Sequence, residues 1–171
     1  MIASPGPCGK SASATPPDAA ASLLLGWREW VALPDLGLAL IKAKVDTGAR
    51  TSTLHAYFVE PFHRRGVPQV RFGIHPLRGR TDVVVQGEAP IIDRRQVRDS
   101  GGHPEQRYVI LTRLLLGGLA WPIEVTLSNR ETMLFRMLLG RTAVAGQALV
   151  DPNRSFLTGR QSRPARRYGV D

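Results

Sequence analysis

The feature that most constrains this chain is strand after strand. Short apolar or β-branched runs occupy Trp30 to Leu33, Leu38 to Val45, Ala56 to Glu60, Val67 to Ile74, Thr81 to Val85, Tyr108 to Thr112, Ala120 to Leu127 and Leu134 to Leu139. Between them stand turn-forming pairs such as Leu36-Gly37, Arg78-Gly79, Gly101-Gly102, Gly117-Gly118 and Ser128-Asn129. Runs of this length, bounded by Gly, Pro and Asn, read as strands. Many of them at roughly ten-residue spacing imply a barrel or a sandwich. Only Thr142 to Val150 reads as helix, with Ala143, Val144, Ala148 and Leu149 in an approximately helical pattern that stops at Asp151-Pro152. The expectation is a mostly β domain with one short C-terminal helix.

Residues 1–26 lack periodicity and are rich in Pro, Ser, Ala and Gly, which reads as a disordered leader. Residues 160–171 carry Arg160, Arg163, Arg166 and Arg167 around Pro164 and read as a basic tail. The domain is then 27–159. Its size suits a single core that needs no disulfide. The lone cysteine, Cys8, has no partner for one and gives no cysteine-cluster metal site. No run approaches the ~18–20 apolar residues that span a bilayer, and the N-terminal residues do not form an export signal. The expected setting is the cytoplasm, without membrane contact.

The segment richest in chemistry runs from Ala39 to Ser52, where the apolar strand ending at Val45 delivers Asp46 into Thr47-Gly48-Ala49-Arg50. Glycine there allows a tight turn and close approach that a side chain would block. By itself this pattern equally describes a turn carboxylate that caps neighbouring N–H groups. A second signal lies about 90 residues further on: Phe135-Arg136-Met137-Leu138-Leu139-Gly140-Arg141, an apolar strand ending in Gly-Arg.

Val-Asp-Thr-Gly-Ala followed at this separation by Leu-Leu-Gly-Arg resembles the retropepsin-like aspartic peptidases. The run Ala43 to Ala56, including His55, with Arg95 to Gly101, Trp121 to Arg130 and Met137 to Thr142, resembles more closely a bacterial family named ATP-dependent zinc proteases. That family is associated with an ATP-grasp ligase that adds glutamates to a ribosomal protein. The resemblance covers about residues 27–159 and implies a closed retropepsin-type β-barrel in which the Leu-Leu-Gly strand packs beside the Asp-Thr-Gly turn.

It also implies a reaction. Aspartic peptidases use two carboxylates that share one proton about a lytic water, one as base and one as acid, because like charges a few ångströms apart cannot both ionise. The chain supplies one clear Asp-Thr-Gly, so the expectation is a homodimer with two copies of Asp46 at its axis. Thr47 would brace the two turns, and Gly48 would leave room for the substrate backbone. A second triplet, Asp99-Ser100-Gly101, follows Arg98 where an apolar strand would be needed, and reads as a polar loop.

Retroviral members commonly place an acidic residue four positions after the catalytic aspartate, paired with the Gly-Arg arginine. Here Arg50 holds that position, so Arg141 must find another acceptor and Arg50 is left to face substrate. The candidate substrate-binding residues are Ala49, Arg50, His55, Arg98, Arg107, Arg130 and Arg141. No zinc motif backs the family's name: His55, His63, His75 and His103 are scattered, without His-Glu-x-x-His. No Gly-x-x-x-x-Gly-Lys loop is present for a triphosphate either, so neither zinc nor ATP is expected as a cofactor.

Net charge is +9, and 20 of the 23 basic residues are Arg. Guanidinium forks suit bidentate carboxylates, and with the ligase association they imply a glutamate-rich or glutamylated peptide as substrate. Nucleic acid is the lesser alternative, because aromatic residues are sparse and not interleaved with the basic run along the sequence. Two further alternatives are a catalytically silent retropepsin-like module that binds a ribosomal protein or RNA, and a metal-assisted hydrolase.

Overall fold

The structure, a computed structural model, describes residues 23–98, 102–130 and 133–170. Most of the leader, Cys8 and the Asp99-Ser100-Gly101 triplet lie outside the described residues. Twelve strands and one helical turn follow in order: β1 Leu23–Gly26, β2 Arg28–Leu33, β3 Leu38–Asp46, β4 Ser52–Ala56, β5 Phe58–Arg64, β6 Val67–Ile74, β7 Val85–Pro90, β8 Asp93–Arg98, β9 Pro104–Leu116, β10 Leu119–Asn129, β11 Met137–Gly140, α1 Arg141–Val144 and β12 Ala148–Asp151.

Six strands close a barrel in the order β10-β4-β11-β3-β2-β9, with β9 pairing back onto β10. This is the mostly β, retropepsin-type barrel that the sequence implies. Period-two alternation fills it. On β9, Ile110, Thr112, Leu114 and Leu116 are buried while Leu111, Arg113 and Leu115 face out. They meet Ile41, Ala43, Leu54, Val125, Leu127, Met137 and Leu139 in one core. Gly117 and Gly118 join β9 to β10 with φ of 60° and 82°, both in the left-handed region that a two-residue hairpin demands. Strand β8 adds to the free edge of β9, β5-β6-β7 form a separate antiparallel sheet, and β1 pairs in parallel with β12.

Several expectations need correction. The helix read over Thr142 to Val150 is a single turn, Arg141–Val144, and its second half is β12. Gly146, at φ 74°, turns the chain, and Ala148–Asp151 then finds β1. Leu23–Gly26, read as leader, are β1 itself, with Leu25 fully buried. Ala56 to Glu60 straddles the junction of β4 and β5 at Tyr57. Most of Thr81 to Val85 is turn, where Asp82 clamps Arg80 through two hydrogen bonds of 2.8 and 2.7 Å. Strand β8 went unread because its Arg-rich run carries no apolar alternation. In the stretch read as a basic tail, Pro164–Tyr168 form a 3-10 turn, and Tyr168 donates its hydroxyl to the carbonyl of Leu40 while accepting from the Leu40 N–H at 3.0 Å.

Candidate active site

Three strands build the site by threading. β11 lies between β3, which it pairs in parallel, and β4, which it pairs antiparallel. The register sets Gly140 beside Asp46, Leu139 beside Val45 and Met137 beside Leu54. Asp46, half-buried, is the last residue of β3, and the chain reverses immediately after it: the Ala49 N–H donates to the Asp46 carbonyl at 3.2 Å.

The β11–α1 junction holds this turn from the other side. The Arg141 N–H donates to the Ala49 carbonyl at 2.7 Å, and the Thr142 N–H and hydroxyl both donate to the Arg50 carbonyl, at 3.0 and 2.9 Å. The buried Ser52 hydroxyl accepts the Gly140 N–H at 3.1 Å. Contact is so close that a Cβ on Gly140 would lie 2.5 Å from the Thr51 carbonyl carbon and 2.8 Å from the Ser52 nitrogen. Glycine at 140 is therefore a requirement of packing, with no positive φ involved. Gly48 likewise avoids the left-handed region, and a Cβ there would sit 3.4 Å from Asp46 Oδ1, an ordinary contact. Its small size keeps the space in front of the carboxylate open.

Arg141, deprived of the usual acidic partner, donates from Nη1 to the carbonyl of Thr47 at 3.0 Å. It thus ties the tip of the Asp-Thr-Gly turn to α1. Arg50 is exposed, as are Thr47 and Gly48. Next to them is a group that sequence reasoning did not single out. Arg95 on β8 donates to Glu124 on β10 at 2.7 Å, to Asp93 at 2.7 Å and to the Thr51 hydroxyl at 3.3 Å, one residue beyond Arg50. Only a register linking β8, β9, β10 and β4 brings these positions together.

The other candidate substrate-binding residues fall elsewhere. His55, Arg107 and Arg130 gather around Glu105, toward the far end of β4 from Asp46. Arg107 is 7% exposed and grips Glu105 through Nε at 3.0 Å and Nη2 at 2.7 Å. Ser128 donates to the same carboxylate at 3.3 Å, and Arg130 stands 3.9 Å away. His55, opposite Ser128 and 4% exposed, has no hydrogen-bond partner on either ring nitrogen among the described residues. Burial, reinforced by Arg107, Arg130 and Arg136, pushes its imidazole down to about 4, against a weaker opposing pull from Glu105. Arg98 is exposed at the end of β8.

Among the described residues no three of His, Cys, Asp or Glu converge on one point. His55 is neutral and its surroundings are guanidinium groups, which repel a cation, so this donor set does not fit zinc.

A closed six-stranded barrel with an Asp-Thr-Gly turn threaded by a Leu-Leu-Gly strand defines a retropepsin-like fold. The chain belongs to the RimB-like family, described as the retropepsin-like aspartic endopeptidase RimB, which it matches over residues 24–161. Among curated proteins it is similar to probable alpha-L-glutamate ligases from Shewanella halifaxensis, 48% identical over 139 residues, and from Parasynechococcus marenigrum, 48% identical over 137. These matches take in 81% and 80% of this chain but only 30% and 29% of the relatives, so the chain spans under a third of their length. It also resembles the crystal structure of Lpg0085 from Legionella pneumophila, a DUF785 protein of unknown function. That comparison has a TM-score of 0.67 and 29% identity, and covers 81% of this chain and 99% of the other. No helix among the described residues is long and apolar enough to cross a membrane.

Proposed function

We propose that the protein is an aspartic-type peptidase that works as a homodimer, each subunit contributing Asp46 to one shared dyad, and that it hydrolyses glutamate-rich or glutamylated peptide in the cytoplasm. The observation that carries this reading is the placement of Asp46: a carboxylate at the exposed end of a barrel strand, on a turn fixed by Gly140, Arg141, Thr142 and Ser52, with open space in front of it. Among the described residues, one barrel offers one such carboxylate. A general acid and a general base are both needed, and a two-fold axis beside Asp46 supplies the second.

In the dyad, one Asp46 carboxylate takes a proton from water as the water attacks the scissile carbonyl, and the other, protonated, donates to the leaving nitrogen. Thr47 and Gly48 border the reacting groups, and the Arg141 bond to the Thr47 carbonyl keeps the turn rigid. Arg50, exposed beside the turn, offers a fork to a substrate carboxylate. Ala49 lies between them, and Arg98 is available at the β8 end. Arg107 is committed to Glu105, so its contribution is to hold that wall of the barrel. The ligase names of the relatives support both an acidic substrate and a functional link to an ATP-grasp glutamate ligase.

Asp46→Asn is the test. Hydrolysis of a poly-glutamate peptide should fall at least ~10³-fold, while circular dichroism and solution mass stay those of the wild type. Unchanged hydrolysis would remove Asp46 from the chemistry, and a strictly monomeric yet active enzyme would remove the dyad.

A further inference from the structure

A concavity of about 680 Å³ lies apart from the Asp46 turn. Its aromatic lining is Trp27, just before β2, and Trp30 on β2, both half-buried, with the buried Phe135 behind them; Trp30 also stacks on Phe156 at 6.1 Å. Trp27 and Phe135 meet edge to face at 5.9 Å. Pro76, Leu77 and the exposed Leu134 extend the apolar wall.

The same cavity is lined by Arg28, Lys42, Arg78, Arg136 and Arg163, and no carboxylate of a described residue lines it. Arg80, also in the wall, is matched by Asp82. The remaining cations crowd one another: burial, then Arg28 and Arg78, lower the proton affinity of Lys42. Arg28 lies 4.5 Å from the Trp27 ring centre, and Lys42 5.1 Å from that of Trp30. The Nε groups of Arg28 and Arg136 are buried with no acceptor among the described residues. An anion entering here relieves the mutual repulsion and satisfies donors.

A carboxylate-rich peptide would use the cations and leave the aromatic surface idle. A nucleobase uses both, since its flat face stacks on indole or phenyl while its phosphates take the guanidinium and ammonium groups. The bases of a duplex are already stacked, so the ligand must be single-stranded. Along the sequence these residues are scattered, with Trp27-Arg28 and Trp30 near one end, Phe135-Arg136 over a hundred residues later, and Lys42 and Arg78 between. The fold interleaves them by bringing together four segments, around residues 27–30, 42, 76–80 and 134–136, with 162–166 as the outer wall.

From these observations we infer that this cavity is a binding site for single-stranded nucleic acid, stacking bases on Trp27 and Trp30 and holding phosphates on Arg28, Lys42, Arg78 and Arg136. The site is independent of the Asp46 chemistry.

Titrating the full chain with an octauridylate tests it, with tryptophan emission as the readout, because Trp27 and Trp30 are two of three tryptophans. Saturable quenching is expected, with affinity at least ~10-fold weaker in Trp30→Leu and largely kept in Trp30→Phe. The logarithm of the binding constant should fall linearly with the logarithm of salt concentration, and Lys42→Gln should shallow that slope by about 0.7. The salt slope of Lys42→Gln decides the matter if Trp30→Leu fails to fold. The inference is overturned by the absence of saturable quenching at about 50 mM salt. Displacement of the octamer mole for mole by a glutamate octapeptide would make the cavity a carboxylate site. Uridine monophosphate binding as tightly as the octamer would make it a mononucleotide pocket.

Discussion

Gly140 decides how near two strands can come at Asp46. Alanine there would drive a methyl into the backbone of Thr51 and Ser52, where no flexible side chain can yield. Gly140→Ala should therefore cost about 2–4 kcal/mol of stability, above the usual range for an added methyl because the obstacle is main chain. It should also displace the Asp46 turn, so that activity falls further than stability, which urea unfolding and peptide hydrolysis would show side by side. His55 makes a different prediction. Its folded-state value of about 4 lies below the ordinary 6.5, so the unfolded chain binds the extra proton between those values. Stability is full above about pH 6.5 and is lost as pH falls toward 4, by up to about 3 kcal/mol. His55→Leu, which removes two unpartnered nitrogens and keeps the volume, should flatten that acid-side loss in unfolding free energies measured at about pH 7 and pH 4.5. An unchanged pH dependence would mean that another group carries it.

At the scale of elements, Glu29 on β2 clamps Gly26 at the end of β1 together with Leu157 and Thr158 after β12. Fully buried, its carboxylate accepts the Gly26 N–H at 2.7 Å, the Leu157 N–H at 2.8 Å, and the Thr158 N–H and hydroxyl at 3.2 and 2.8 Å. Glu29→Gln replaces one accepting oxygen with a donor facing these donors, and should cost about 2–3 kcal/mol. Calorimetry should show the lowered midpoint, and a loss below about 0.5 kcal/mol would contradict the clamp. This clamp was not legible in the sequence: an acidic residue between two tryptophans reads as a solvent-facing strand position, and two of its three partner residues, Leu157 and Thr158, lie more than 120 residues away. The Asp46 turn was legible because its signals are local, an apolar run that stops at Asp-Thr-Gly and another that stops at Leu-Leu-Gly. The segment Thr142 to Val150 misled because apolar residues at 143, 144, 148 and 149 fit a helix or a turn followed by a strand equally well. Only the parallel partner β1 decides between them. Thr51, Arg95 and Glu124 escaped notice for the same reason as Glu29, since three separate elements supply them.

Over the whole molecule, the barrel is complete and the proposed reaction site is half of one. Among the described residues, twelve strands and one core present a single carboxylate on an Asp-Thr-Gly turn, whereas the chemistry assigned to it needs two. Under the two proposals the +9 charge would serve two uses, guanidinium groups near the Asp46 turn for carboxylates and the cation-aromatic cavity for phosphates and bases. Subunit mixing tests the shared dyad most directly. When wild-type chains re-pair at random with an equal amount of Asp46→Asn chains, activity per wild-type chain should fall to about one half, because mixed pairs hold one carboxylate. Activity that simply tracks the amount of wild-type chain, at every mixing ratio, would contradict a site built from two copies of Asp46.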